Sequence, residues 1–426
     1  MPLEIVVLGG TFLVCLLVQM PIAFSLLLPS ITVLAMRGTP LVLVAQRIYA
    51  GLDSFSLLAI PFFMLAGELM NAGGVTRRLV RFCDALVGRF TGGFSLATVV
   101  SNMIMAGISG SAVADATAIG TVMIPSMKDT GYDVDFSVGI TAAASVCGPI
   151  IPPSIPLVVY GALAQISVGD LFLGGAVPGI LLGLGLMLIA YVLSVRRRYA
   201  RSTTASLREI LKSGYEGFWA LLMPVIVLGG ILGGVFTATE AAAVAAVYAL
   251  VASMFIYREV KLRDLPRILR TATIQCASVL FIIAAAGLFA WVFVTAQIPQ
   301  RFASWVFSFT SSRALIIAMI LLLLLVVGCF METVASLIIL GPILAPLVSQ
   351  IGMDPIHFGV VLVFGLCLGL LTPPVGVSLS ICANIGRIPL DEATRGVLPF
   401  LVLSIGVLFL IAYVPGLVTF LPRLFG

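Results

Sequence analysis

Charge is scarce in this sequence. Of 426 residues only 10% are Asp, Glu, Lys or Arg, and there is a single histidine, His357. A chain so poor in ionisable groups cannot cover a water-facing surface, which excludes a soluble globular domain. The seven cysteines are scattered in apolar surroundings without a CxxC pair, and His357 has no second ligand beside it, so disulfide, zinc and haem frameworks are disfavoured. HExxH and GxGD are missing (residues 167–170 read SVGD), and no Ser/His pair stands with a third group, which leaves an intramembrane enzyme as a remote alternative. The opening MPLEIVVLGG has Glu4 but no Lys or Arg before the first apolar run. It lacks the basic start of a cleavable signal peptide, so the first span is expected to be retained.

What is abundant is apolar: 61% of residues are hydrophobic, and the mean hydropathy is +1.22. The expected fold class is an all-α polytopic membrane protein. Runs of spanning length fall near 3–20, 22–36, 48–70, 136–165, 171–195, 217–236, 238–257, 272–297, 357–385 and 394–422. The net charge of +5 does not point to nucleic acid, because the basic residues gather in three loops. These hold Arg77, Arg78, Arg81 and Arg89; Arg196, Arg197, Arg198, Arg201, Arg208 and Lys212; and Arg258, Lys261, Arg263, Arg267 and Arg270. The positive-inside rule places all three in the cytoplasm.

That sidedness closes only if two further apolar blocks, 94–127 and 314–348, do not cross. Each divides into arms of about 15 to 17 residues around a polar tip, GISGSAVADA and GCFMETVA. At 1.5 Å per residue such arms reach roughly 22 to 26 Å, short of a ~30 Å hydrocarbon core, and read as re-entrant hairpins. Both termini then fall on the periplasmic side.

A shift of 221 residues brings Gly120, Pro125, Gly131, Asp133, Gly148, Pro152, Pro153, Asp170, Gly175 and Pro178 onto Gly341, Pro346, Gly352, Asp354, Gly369, Pro373, Pro374, Asp391, Gly396 and Pro399 without a gap. The chain therefore reads as two repeats. The first is 1–195, with hairpin 94–127 and broken helix 136–165; a basic connector spans 196–216; the second is 217–426, with hairpin 314–348 and broken helix 357–385. Hairpins entering from opposite faces make the repeats inverted, the plan of secondary transporters with a site at the repeat interface. CGPIIPPSIPL and LGLLTPPVGVS break the two spans. Proline removes a backbone donor and crowds the preceding turn. Such breaks are tolerated at membrane depth where they line a cavity. Their free carbonyls suit a cation and their free amides an anion.

The paired GPIIPPS and GLLTPPVG segments, each following a small-residue tip (SGSAVADA, METVAS), resemble the large membrane subunit, of the DctM type, of the tripartite ATP-independent periplasmic (TRAP) transporters. The resemblance spans essentially the whole chain. It implies a sodium-coupled, elevator-type importer of carboxylates such as C4-dicarboxylates, sialic acid or sugar acids, in a bacterial inner membrane, with a fixed scaffold and a mobile transport domain. It also implies two partners, a small four-helix membrane subunit and a periplasmic substrate-binding protein. By the same resemblance, one sodium site uses Ser109, Ser111, Gly148 and the carbonyl region of Pro152. The other uses Glu332, Thr333, Gly369, Thr372, Pro373 and Gly376. The tips differ, since Ser111 aligns with Glu332.

Neither tip nor break contains Lys or Arg, so a substrate carboxylate there relies on amides, helix N-termini and the hydroxyls of Ser154, Thr372, Ser378 and Ser380. Simpler roles stand beside these. Ser109 and Ser111 suit helix caps, and Glu332 a carboxylate paired within the bundle. Asp115, aligned with Ser336, suits hairpin packing or ion binding equally. Glu68 and Glu240 suit interfacial or helix-pairing roles, and His357 an interfacial position opening a span. Amphipathic arms are expected at the membrane interface at 75–90 (Leu79, Phe82, Leu86) and 299–313 (Phe302, Trp305, Val306, Phe309), with Trp305 at headgroup depth. The closest alternative is a stand-alone sodium-coupled dicarboxylate carrier of the divalent-anion class.

Overall fold

The computed structural model describes residues 2–18, 20–202 and 205–425; residues 203 and 204 of the expected connector lie outside the described residues. Within the described residues the architecture is helical, with one isolated bridge between Thr91 and Arg201 in place of any sheet. In chain order the helices are α1 (Pro2–Leu17), α2 (Ile22–Met36), α3 (Val42–Leu52), α4 (Ala59–Ala72), α5 (Val75–Val87), α6 (Gly93–Ser109), α7 (Ala112–Asp129), α8 (Val134–Ser145), α9 (Ile155–Ala164) and α10 (Val168–Arg196). There follow α11 (Leu207–Leu232), α12 (Ala238–Val251), α13 (Leu265–Thr295), α14 (Ile298–Phe309), α15 (Arg313–Phe330), α16 (Thr333–Gln350), α17 (Pro355–Leu368), α18 (Val377–Gly386), α19 (Leu390–Tyr413) and α20 (Gly416–Phe425).

Among the described residues, eight helical segments are long and apolar enough to cross a bilayer. Many large apolar side chains face outward on them, including Leu184 and Leu188 on α10, Ile274 and Phe281 on α13, and Leu315, Leu322 and Val326 on α15. Such a surface is stable only against lipid.

Several expected boundaries shift for local reasons. The 48–70 run is two helices, because Asp53 and Ser54 leave the helical region before a short 3₁₀ turn at Phe55–Leu58. Short polar side chains compete for the backbone and favour such breaks. The 394–422 run stops at Tyr413, ahead of Pro415, and resumes as α20. Half of the basic connector is helix: Ser206 and Glu209 form a reciprocal capping box that starts α11 at Leu207. Glu240 does the same with Thr237 at the start of α12, so it is a cap rather than a helix-pairing group.

Helix bounds follow the 221-residue offset closely. The arms α6 and α7 (17 and 18 residues) correspond to α15 and α16 (18 each). These arms run slightly longer than expected, because the tip residues Ala112 and Thr333 are already helical. Packing is reciprocal between the halves. Helix α9 of the first broken span lies on α16 of the second hairpin, while α18 of the second broken span lies on α7 of the first. Likewise α8 packs on α19 and α10 on α17. The closest approach is at Gly396, where a Cβ atom would lie 2.0 Å from the Asp135 carbonyl oxygen. A further layer joins α1, α2, α3 and α13, with α4 against α12 and α13, and it meets the hairpins through α13 on α16 and α4 on α6.

The two amphipathic arms bury part of the faces expected, Leu79 on α5 and Val306 on α14. On α5 the buried residues are Val75, Thr76, Leu79, Val80 and Cys83, with Leu86 exposed. On α14 they are Pro299, Ala303 and Val306, while Trp305 and Phe309 point outward, their rings 4.8 Å apart. In lipid an aromatic face has no need to turn inward. His357 opens α17 as expected and is buried within the protein, with Nε2 2.8 Å from the Ile411 carbonyl oxygen.

Candidate functional site

The first tip turns on Gly110, whose φ of +62° is open to glycine without strain. Ser109 ends α6 and Ser111 caps α7, its Oγ accepting from the Ala114 amide at 3.4 Å. The Ser111 amide donates to Ser109 Oγ at 3.2 Å. Ser109 Oγ in turn donates to Asp115 Oδ1 at 2.5 Å. The other carboxylate oxygen, Oδ2, is buried without a hydrogen-bond partner. It faces the first break: a Cβ on Gly148 would lie 2.6 Å from it and 3.0 Å from the Ser111 carbonyl carbon.

Ser109, Ser111 and Gly148 are thus brought together as expected, and Asp115 joins them. The Pro152 carbonyl lies one turn away, opposite Gly107. The tip itself meets Pro153, whose carbonyl oxygen would be 2.6 Å from a Cβ on Gly110, and Ile155, whose amide donates to the Gly110 carbonyl at 3.4 Å. A carboxyl oxygen, hydroxyls and carbonyls around a buried tip form a hard-oxygen donor set, the kind that suits a small monovalent or divalent cation.

At the second tip Glu332 caps α16, with Oε2 accepting from the Ala335 amide at 3.0 Å. Thr333 Oγ1 and Ser336 Oγ are buried without hydrogen-bond partners. In the second break Thr372 Oγ1 donates to the Gly369 carbonyl at 3.0 Å and lies 2.9 Å from Cys329 Sγ. Gly376, at φ +39°, sits over the Thr372 carbonyl, which would be 3.1 Å from a Cβ there. Gly369 is pressed against Gly328 of α15. Gly369, Thr372 and Gly376 therefore form one group tied to the end of α15, and Glu332 and Thr333 another at the start of α16. Leu370 and Val377 bring the second break beside Glu332 in a shared cavity. Pro152–Pro153 and Pro373–Pro374 are both cis, the first pair buried and the second exposed.

The hydroxyls expected to meet substrate differ sharply. Ser154 caps α9: its Oγ donates to the Pro149 carbonyl at 2.5 Å and accepts from the Leu157 amide at 3.2 Å. Ser380 donates to the Val375 carbonyl at 3.1 Å. Ser378 Oγ is buried without a hydrogen-bond partner.

Both tips open onto one cavity of about 110 Å³, lined by Ser111, Glu332, Thr333, Pro149 and Val377 among others. A narrower space of about 40 Å³ adjoins it at Ser109 and Ser111, walled on the far side by Glu68, Asn71 and Gln275. Gln275 of α13 donates to Glu68 Oε1 of α4 at 3.0 Å, so Glu68 does pair two helices and also faces the first tip. The sequence pattern leaves Asp115 open between hairpin packing and ion binding, and Glu68 between interfacial and helix-pairing roles. The signal available was their position, Asp115 one turn beyond a tip and Glu68 near the end of the 48–70 apolar run.

The family described as "Tripartite ATP-independent periplasmic transporter, DctM component" matches residues 10–417. The chain is 41% identical over 407 residues to the sialic acid TRAP transporter large permease protein of Vibrio cholerae, covering 95% of each chain. It is 42% identical over 382 residues to the C4-dicarboxylate TRAP transporter large permease protein of Pseudomonas aeruginosa, covering 90% of each. It is also 41% identical to the isethionate TRAP transporter permease protein of Oleidesulfovibrio alaskensis, over 97% of this chain and 66% of that one. In fold it resembles the Alcanivorax borkumensis YdaH transporter, with a TM-score of 0.62 at 14% identity over 88% of this chain and 87% of that one. The relatives are named as permeases, not enzymes. With matches of this extent over nearly its whole length, the chain belongs to the DctM component family of tripartite ATP-independent periplasmic transporters.

Proposed function

We propose that the chain is the large permease subunit of a sodium-coupled importer of small organic acids, which accepts substrate from a periplasmic binding protein and carries it by an elevator movement of the two hairpins and broken helices. The observation that carries this reading is the shared cavity. Two chemically different tips, Ser111 with Asp115 behind it and Glu332 with Thr333, face each other across one space. Cations held at both tips would supply the positive charge that the cavity walls lack, and an anionic substrate would be held by those ions, by amides and by hydroxyls. Binding of anion and cation is then mutually dependent, which is what coupling requires.

The substrate class follows the relatives, whose names cover a sugar acid, C4-dicarboxylates and a sulfonate. A carboxylate is the leading choice here. The three basic loops lie on the cytoplasmic side and both termini on the periplasmic side of a bacterial inner membrane. The layer of α1–α4 and α13 serves as scaffold, completed by the small four-helix subunit.

The test is reconstitution of the chain with its small membrane subunit in liposomes under an inward sodium gradient, with the cognate binding protein outside. Uptake of labelled N-acetylneuraminate, succinate or isethionate should require all three proteins. Robust uptake by the chain alone would favour the stand-alone carrier.

A further inference from the structure

Between the first hairpin and the surrounding helices, a cavity of about 750 Å³ opens on the side of Arg77, Arg78 and Arg81. Its walls include Asn71 of α4, Thr76 of α5, Ala118, Thr121 and Val122 of α7, Glu216 of α11, and Glu259. Three arginines against two carboxylates leave it with a net positive charge. The arginines are not equivalent. Arg78 is fixed by the Gly73 and Gly74 carbonyls at 3.0 and 3.1 Å, by Glu259 at 2.9 Å, and by the Tyr257 ring, 4.4 Å from its guanidinium carbon. Arg81 reaches Glu216 through one longer contact of 3.3 Å and is 74% exposed. Arg77 is exposed and has no ion-pair partner among the described residues.

This cavity lies next to the site. Asn71 and Ala118 line both it and the narrow space at Ser109 and Ser111, and Ser111 also lines the cavity between the tips. Neither inner space is lined by Lys or Arg, and the narrow one carries the Glu68 carboxylate. An anion leaving the tips on this side would pass Glu68 and reach the three arginines of this cavity, of which Arg77 and Arg81 are the least committed to protein partners. Guanidinium groups bind carboxylates and sulfonates through paired donors. Low-dielectric walls concentrate the field of even a small net charge.

We propose that this vestibule is a second, weaker anion station, holding a carboxylate or sulfonate group between Arg77 and Arg81 as substrate passes between the tips and the aqueous phase. The direction of traffic rests on the transport reading above; the anion preference of the cavity does not.

The preference is measurable without knowing the substrate. Thr121→Cys places a thiol in the vestibule wall of the full chain, held in phosphatidylcholine nanodiscs. It is labelled by the anionic 2-sulfonatoethyl methanethiosulfonate and by its cationic trimethylammonioethyl counterpart, with labelling of the parent chain subtracted. After correction for their rates on a free thiol, the anionic reagent should be favoured by about tenfold at low ionic strength, and much less at high salt. Arg77→Gln with Arg81→Gln should abolish the preference, whereas the charge-keeping pair Arg77→Lys with Arg81→Lys should retain it. Succinate should slow labelling in the parent background but not in the Arg-to-Gln pair. Equal rates for the two reagents in the parent would overturn the proposal. So would protection by added phosphatidylglycerol but not by succinate, which would assign the arginines to lipid. Failure of sodium-driven uptake with the labelling preference intact would count against the transport reading alone.

Discussion

Ser109 Oγ donates to Asp115 Oδ1 at 2.5 Å across the first tip, and this bond turns the second carboxylate oxygen toward Gly148, where it has no hydrogen-bond partner. A buried carboxylate oxygen left in this way is costly unless a proton or cation meets it. The second tip solves the same problem differently. Glu332 satisfies an amide of its own helix and opens onto the cavity that Ser111 shares. The tips are related by position and not by chemistry.

The hydroxyls separate into a structural one and a free one. Ser154→Ala should cost about 1 kcal/mol of stability, the usual value of a helix cap, and leave the substrate concentration for half-maximal uptake unchanged. Ser378→Ala removes a buried hydroxyl that makes no hydrogen bond, so it should leave stability nearly unchanged while altering that concentration. Thermal unfolding in detergent and uptake by the reconstituted complex measure the two effects. Equal behaviour of the two variants would remove Ser378 from the substrate path.

Close helix packing should show in a paired substitution. Gly396→Ala forces the added methyl against the Asp135 backbone and should destabilise by about 1–3 kcal/mol, the range for an overpacked core. Gly406, also on α19, has open space at its Cβ position, so Gly406→Ala should be neutral or slightly stabilising. Apparent melting temperatures decide this, and a matching drop in both would contradict the packing described.

Much of this architecture is legible in the sequence because proline and glycine act locally. Gly148 to Pro156 and Gly369 to Gly376 break their helices wherever they stand, and the repeat offset carries one hairpin onto the other. The break at Asp53–Ser54 is harder to see, since neither residue forbids a helix. It is held by long-range contacts, among them the bond from Thr239 Oγ1 to the Phe55 carbonyl at 3.1 Å. The outward ring of Phe309 is harder to see, because the amphipathic rule assumes water outside. Asp115 is obscured by the repeat itself, which aligns it with Ser336 and so suggests no common role.

Acid should loosen the end of α8 next to the second basic loop. The Tyr199 hydroxyl bond to Asp133, supported by Arg197 at 2.7 Å, holds the Asp133 carboxyl below its usual range. Its stabilisation is therefore complete above the ordinary carboxylate range and is lost as pH falls through the lowered value. Because the group is largely exposed, the contribution should be under about 1 kcal/mol. Asp133→Asn should flatten the acid limb of the stability profile to that extent, and an unchanged limb would show that the cluster contributes nothing.

Sodium dependence of uptake tests the central claim most directly. In the reconstituted complex, with potassium replacing sodium at constant ionic strength, uptake should vanish without sodium and rise steeply with it. Asp115→Asn and Glu332→Gln each remove one charge from one tip. Either change should raise the sodium concentration for half-maximal uptake by about tenfold or more, as expected for loss of a charged ligand. Uptake that persists in potassium, or an unshifted sodium dependence in both variants, would contradict a transporter driven by cations at the two tips.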